Sequence, residues 1–172
     1  MRIGIFQRDA ETANRLIPFL SCFAALVLSV VPLHVPGLAI ATPAFALMAV
    51  YHWTVYRPDL LPPAALFVLG VALDLLDGTP YLGLSALAFL AARSFVLVGR
   101  RRAVNRPFAF VWAGFLATAA FAIGLEWAMT SAISMSALSP RPFVFQTVVT
   151  VAAYPIADYL LAQLQRGLLR RA

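Results

Sequence analysis

Long apolar runs, separated by short segments rich in Arg, Pro and Gly, dominate the pattern of hydrophobic and polar positions along the chain. The longest runs reach the length of about twenty residues that an α-helix needs to cross a bilayer. The pattern therefore predicts an all-α integral membrane protein, a compact bundle of about six transmembrane helices that forms a single domain over residues 1–172. The predicted spans cover about residues 16–33, 38–56, 60–76, 82–98, 107–134 and 142–164.

The second and third predicted spans leave an alternative open. Arg57-Pro58-Asp59 separates them, and both are short for a helix that crosses the whole hydrocarbon core. Two short apolar segments can instead enter and leave the membrane on one side as a re-entrant hairpin. The sequence does not decide whether these two spans fully cross.

The arginine residues indicate the orientation. With six spans, one side of the membrane holds both termini, the Arg57 loop and the basic loop at residues 100–106, whereas the other side holds only Arg141. Arg93 falls within the fourth span, nearer to the arginine-rich side. Because positive charge in short loops stays cytoplasmic, we expect both termini in the cytoplasm. The basic loop also favours contact with anionic membrane lipid.

The overall composition excludes several classes of protein. The chain is 62% hydrophobic and 12% charged, which lies outside the usual range of soluble domains. Its net charge of +6 does not indicate nucleic-acid binding, because apolar runs separate the arginines and no contiguous basic face forms. The single cysteine, Cys22, excludes an intramolecular disulfide and a cysteine metal cluster.

Four carboxylates lie within or at the edges of the predicted spans. Each needs a physical reason, because an ionisable group at mid-membrane costs about 3 kcal/mol. Asp74 and Asp77 share one helix face near the outer surface, and Glu126 lies toward the same surface, where it caps its helix or lines a groove. Asp158 lies at an inner depth similar to that of Arg93, so we predict that these two side chains form a structural polar pair.

Three enzyme classes fit the sequence poorly. Asp74-x-x-Asp77 imitates the start of the CDP-alcohol phosphotransferase motif, but the second aspartate pair of that motif is missing. The lipoprotein signal peptidases need Asn beside their catalytic Asp residues, and the Asn residues here lie elsewhere. His34 and His52 fall toward opposite surfaces, so we interpret both as interfacial residues and not as the base of a serine hydrolase. We therefore predict no enzyme activity, no cofactor and no metal site.

Residues 70–87 carry the most specific pattern in the chain, G-V-A-L-D-L-L-D-G-T-P-Y-L-G-L-S-A-L. This stretch resembles the signature of the rod shape-determining protein MreD family, although the turn at residues 78–83 is one residue longer than usual. The matching positions are Gly70, Asp74, Gly78, Pro80, Gly83, Leu84 and Leu87. Weaker similarity extends along the chain at Pro43, Arg141, Pro142, Phe145 and Pro155.

The resemblance implies a non-enzymatic protein of the bacterial inner membrane that takes part in cell elongation. It implies binding to the bitopic protein MreC, and through it a link from MreB filaments to the glycosyltransferase RodA and its transpeptidase partner. The candidate interface residues are Gly70, Asp74, Gly78, Pro80, Gly83 and Leu84. The implied fold is similar to the substrate-binding subunits of energy-coupling-factor vitamin transporters, so a small-molecule binding subunit is the alternative function.

Overall fold

The computed structural model describes residues 3–31, 42–103, 107–136 and 138–169. Within these ranges the chain forms six α-helices and no β-strand, so the predicted all-α class is confirmed. His34 and the first residues of the second predicted span lie outside the described residues. The helices are α1 Ile3–Val30, α2 Phe45–Tyr56, α3 Pro63–Asp77, α4 Leu84–Ala103, α5 Phe108–Ile133 and α6 Arg141–Leu169.

Consecutive helices run in opposite directions, so the bundle has two distinct ends. At one end, the C-terminal halves of α1, α3 and α5 and the N-terminal halves of α2, α4 and α6 surround a shared cavity. We call this the cavity end. At the opposite end, the C-terminal halves of α2 and α6 meet where His52 Nε2 lies 3.2 Å from Gln165 Oε1, and we call this the histidine end.

The helices differ in whether they are long enough to cross a membrane. Two helical segments are long and apolar enough to cross a membrane, Phe108–Ile133 and Arg141–Gly167. Two further apolar helical segments are shorter, Ile17–Val30 and Leu84–Gly99. With 12 and 15 residues, α2 and α3 measure about 18 and 22 Å, less than the roughly 30 Å of a hydrocarbon core. Six complete crossings therefore stay a prediction.

The short helix α2 is the centre of the bundle. Its residues from Ala46 to Val55 are all buried, mainly against α1, α4 and α6. Its polar side chains find partners on these and other neighbours: Trp53 Nε1 donates to Ser21 Oγ over 2.8 Å, and the Tyr51 hydroxyl donates to the Val111 carbonyl over 2.8 Å. Buried polar groups cost little when they are paired in this way, so α2 fixes the positions of the helices around it.

Large apolar side chains cover much of the outer surface of the other helices. Val98 is 88% exposed and Leu75 is 64% exposed, and similar side chains project from α1, α5 and α6. A soluble protein rarely exposes so much contiguous apolar surface, which is instead typical of a surface that contacts lipid or another protein.

Candidate functional site

The hairpin formed by α3 and α4 carries the predicted motif, and Gly70 lets its two helices approach closely. Gly70 is buried in α3, and a Cβ atom there would lie 2.2 Å from Ala86 Cα in α4. Because the obstructing atom belongs to the backbone, any side chain at position 70 would push the helices apart. Gly70 therefore allows close packing within its own hairpin, and its assignment to a partner interface stays a prediction.

The two turn glycines of the hairpin have a different role. Gly78 ends α3 in the left-handed conformation with φ of 67°, and Gly83 has φ of 96° just before α4 begins. A Cβ atom built on Gly83 would meet nothing within 4 Å, so close packing does not account for a glycine at this position. Gly83 is required instead for a backbone conformation that other residues rarely adopt.

Asp74 connects the end of α3 to the beginning of α4. Its side chain is buried, and both carboxylate oxygens accept hydrogen bonds from backbone amides. The amide of Gly83 donates to Oδ2 over 2.6 Å, and the amide of Ser85 donates to Oδ1 over 3.2 Å. The first amides of a helix lack partners within it and carry partial positive charge. Asp74 thus caps α4 from a neighbouring helix and is not available to a partner protein.

The other two outer carboxylates meet at a cavity of about 100 Å³ at the cavity end. Asp77 on α3 and Glu126 on α5 both line it, so the structure brings together two residues that the sequence placed toward the same surface. Asp77 is exposed at the end of its helix, whereas Glu126 is half-buried. Four further polar residues line the cavity, Ser29, Thr42, Ser85 and Gln146.

A second polar cluster lies at the histidine end. His52 Nδ1 is 2.7 Å from Asp158 Oδ1, and the Tyr154 hydroxyl donates to the same oxygen over 3.1 Å. His52 and Asp158 are both buried. The interpretation of His52 as an interfacial residue is therefore wrong, because it lies in the core and binds a carboxylate. Gln165 occupies the other ring nitrogen, so no hydroxyl or thiol is placed there for the imidazole to activate.

The predicted pair between Arg93 and Asp158 is also wrong. The guanidinium of Arg93 donates to the carbonyl of Leu61 over 2.6 Å and to the carbonyl of Pro58 over 3.3 Å. These carbonyls belong to the segment that joins α2 to α3, whereas Asp158 faces α2. Similar depth along two helices did not imply that the side chains share a face, and each charge is satisfied by a different neighbour.

The described part of the chain offers little for metal or nucleophilic chemistry. Within it, no three His, Cys, Asp or Glu side chains are grouped so that they could hold a metal ion. The arrangement instead provides a tightly closed hairpin, a buried structural network and one acidic cavity.

Comparison with known proteins gives one result. A family model described as rod shape-determining protein MreD matches residues 11–164 of the 172-residue chain. The matched region includes the α3–α4 hairpin, the acidic cavity and most of the histidine-end cluster. Neither the curated proteins nor the solved structures contain a significant match.

Proposed function

The chain belongs to the MreD family of rod shape-determining proteins, and we propose that within this role it is a non-enzymatic scaffold of the cell-elongation machinery. As that scaffold it binds MreC in the bacterial inner membrane and helps to link MreB filaments to RodA and the elongation transpeptidase. The single observation that carries the proposal is the family match over nearly the whole chain.

The proposed scaffold has six spans with both termini in the cytoplasm. The alternating helix directions support this topology, because the N-terminal end of α1 and the C-terminal end of α6 both point away from the cavity end. Arg57, Arg93 and Arg166 lie toward the histidine end, whereas Arg141 lies at the cavity end. The histidine end is then cytoplasmic under the rule that basic loops stay inside. The apolar outer surface supports a lipid environment.

The α3–α4 hairpin is the proposed docking surface for the single transmembrane helix of MreC. The Gly70–Ala86 contact and the Asp74 cap hold the hairpin rigidly, and a rigid surface loses little conformational entropy when it binds. Leu75 and Leu82 are 64% and 63% exposed on its outer side, so apolar surface is available for a partner helix.

Co-purification in a mild detergent tests this function. Wild-type protein should retain MreC, and the double variant Leu75→Ala/Leu82→Ala should retain much less at equal abundance. The matched control is Ile156→Ala/Leu160→Ala, which truncates two equally exposed side chains on α6 and should retain MreC. Loss of MreC from the control alone would place the interface on α6 and contradict the hairpin as docking surface.

A cellular test separates the scaffold from the alternative function. Depletion of the protein should make rod-shaped cells wide and round, and re-expression of the wild type should restore the rods. A small-molecule binding subunit of an energy-coupling-factor transporter would instead co-purify with ATPases and leave cell shape unchanged in medium that contains its ligand. That second result would replace the scaffold proposal.

A further inference from the structure

Helix α6 contains a proline near its centre, and a neighbouring helix replaces the hydrogen bond that this proline removes. Pro155 has no N–H group, so it cannot donate to the carbonyl of Val151, four residues earlier in the helix. Trp112 on α5 donates its Nε1–H to that same carbonyl over 3.0 Å. In an apolar environment a carbonyl freed by proline needs such a partner, because water does not reach it there.

The half of α6 that follows Pro155 is held against α2 by two contacts at different distances from the proline. Asp158, which lies 2.7 Å from His52 Nδ1, is about 5 Å from the proline along the helix axis. Gln165, which lies 3.2 Å from His52 Nε2, is about 15 Å from the proline along the same axis. A bend of about 20° at the proline would therefore move Gln165 by about 5 Å and Asp158 by less than about 2 Å. The Gln165 contact would break, whereas the Asp158 contact could adjust.

An apolar groove gives this half of α6 room to move. The groove has a volume of about 380 Å³ and lies between α6 and the helices α1 and α2, and all of its lining residues are apolar. On α6 they include Ala153 before the proline, and Ala157 and Leu161 after it. Helix α6 packs mainly against α5 and α2 and contacts α1 little. A bend toward α1 would close the groove, and the apolar surface that it buries offsets the loss of a neutral hydrogen bond.

We propose that α6 is a hinged helix, with Pro155 as the hinge and the hydrogen bond from Trp112 to Val151 as the latch that holds it against α2. When the latch opens, residues 156–169 swing toward α1 and close the groove. The latch acts at the hinge itself, because the carbonyl of Val151 tilts away from the indole as the helix bends. Trp112 is 41% exposed, so the latch lies at the surface of the bundle. This inference does not depend on the scaffold function.

Distances between spin labels in the purified full chain test the hinge, measured by double electron–electron resonance in lipid nanodiscs. Labels on Leu20→Cys and Gln163→Cys, in a Cys22→Ala background, join exposed positions of α1 and of the moving half of α6. In this pair Trp112→Phe should raise the population of a second distance about two- to tenfold, because it keeps an aromatic ring but removes the donor. Labels on Leu20→Cys and Val148→Cys, which precedes the hinge, should keep one distance.

Replacement of the proline assigns the movement to the hinge. Pro155→Ala restores an amide that donates to the carbonyl of Val151 within the helix. The second distance should therefore disappear in Pro155→Ala, and also when this substitution is combined with Trp112→Phe. Trp127→Phe is the matched control, because it removes an indole donor from the carbonyl of Leu138 and should leave the distances unchanged.

Gln165→Ala provides an independent measurement in case Trp112→Phe is too unstable to purify. It removes the contact with His52 that lies far from the hinge, so it should also populate the second distance. The proposal is overturned if folded Trp112→Phe keeps the wild-type distances, if Gln165→Ala keeps them, or if the second distance persists after Pro155→Ala.

Discussion

Replacement of Asp74 by Asn tests the cap that joins α3 to α4. Each carboxylate oxygen accepts one hydrogen bond from a backbone amide, Oδ2 from Gly83 and Oδ1 from Ser85. An asparagine has one oxygen and one NH₂ group, so one of these amides must face a donor and lose its bond. A buried amide without a partner costs about 1–3 kcal/mol, and loss of negative charge at a helix N-terminus adds about 0.3–1 kcal/mol. Asp74→Asn should therefore destabilise the protein by about 1–4 kcal/mol.

Hydrogen exchange and equilibrium unfolding measure this effect. The amides of Gly83 and Ser85 should exchange faster in Asp74→Asn, and Asp74→Ala should be more destabilised because it leaves both amides without a partner. Asp77→Asn is the matched control, since it makes the same change one helical turn away at an exposed site. If Asp74→Asn stayed within about 0.5 kcal/mol of the wild type with unchanged exchange, the carboxylate would not be the cap.

Two further predictions follow from single contacts, and a third follows from the proposed topology. His52→Gln and Asp158→Asn should each destabilise the protein, because each breaks the contact between these side chains. In a double-mutant cycle, the double variant should lose less free energy of unfolding than the sum of the single losses, by about 0.5–3 kcal/mol. Additive losses would rule out the pair. Gly70→Ala should cost about 1–3 kcal/mol by overpacking, whereas Gly124→Ala, where a Cβ meets no neighbour, should be neutral or stabilising in thermal unfolding. Thr79→Cys should react with a membrane-impermeant thiol reagent in intact spheroplasts, and protection there would reverse the proposed topology.

The order and type of the helices could be read from the sequence because they depend on local signals. Apolar length, the Pro-rich break at residues 57–59 and the turn at Gly78 all act over a few residues. The helix limits were predicted less accurately. Helix α1 begins at Ile3, whereas the predicted span begins at residue 16, because the helix includes polar residues that precede the apolar run. The end of an apolar run indicates the edge of the predicted membrane span, but it does not indicate where the backbone hydrogen bonds of the helix end.

The partners of the polar side chains could not be read from the sequence. Amphipathic helices reveal their inner face by periodicity, but α2 is apolar and buried on all sides, so its sequence does not show which way His52 points. The depth of Asp158 and Arg93 along their helices was inferable, whereas their rotation about the helix axes depends on packing. The one available signal was that a histidine within a fully apolar helix needs a polar partner, and Asp158 lies at a matching depth.

The two polar clusters of the bundle join helices over very different distances along the chain. At the histidine end, Asp158 Oδ1 lies 2.7 Å from His52 Nδ1, 106 residues away in sequence, and accepts a hydrogen bond from the Tyr154 hydroxyl. At the cavity end, the two oxygens of Asp74 accept hydrogen bonds from backbone amides only 9 and 11 residues further along the chain. A contact between distant segments forms only after a long loop of chain has been closed, whereas a contact within one hairpin does not need that closure. The Asp74 cap is therefore specified within residues 70–87, which is why the sequence pattern of that hairpin is recognisable, whereas the pairing of His52 with Asp158 depends on the packing of the whole bundle.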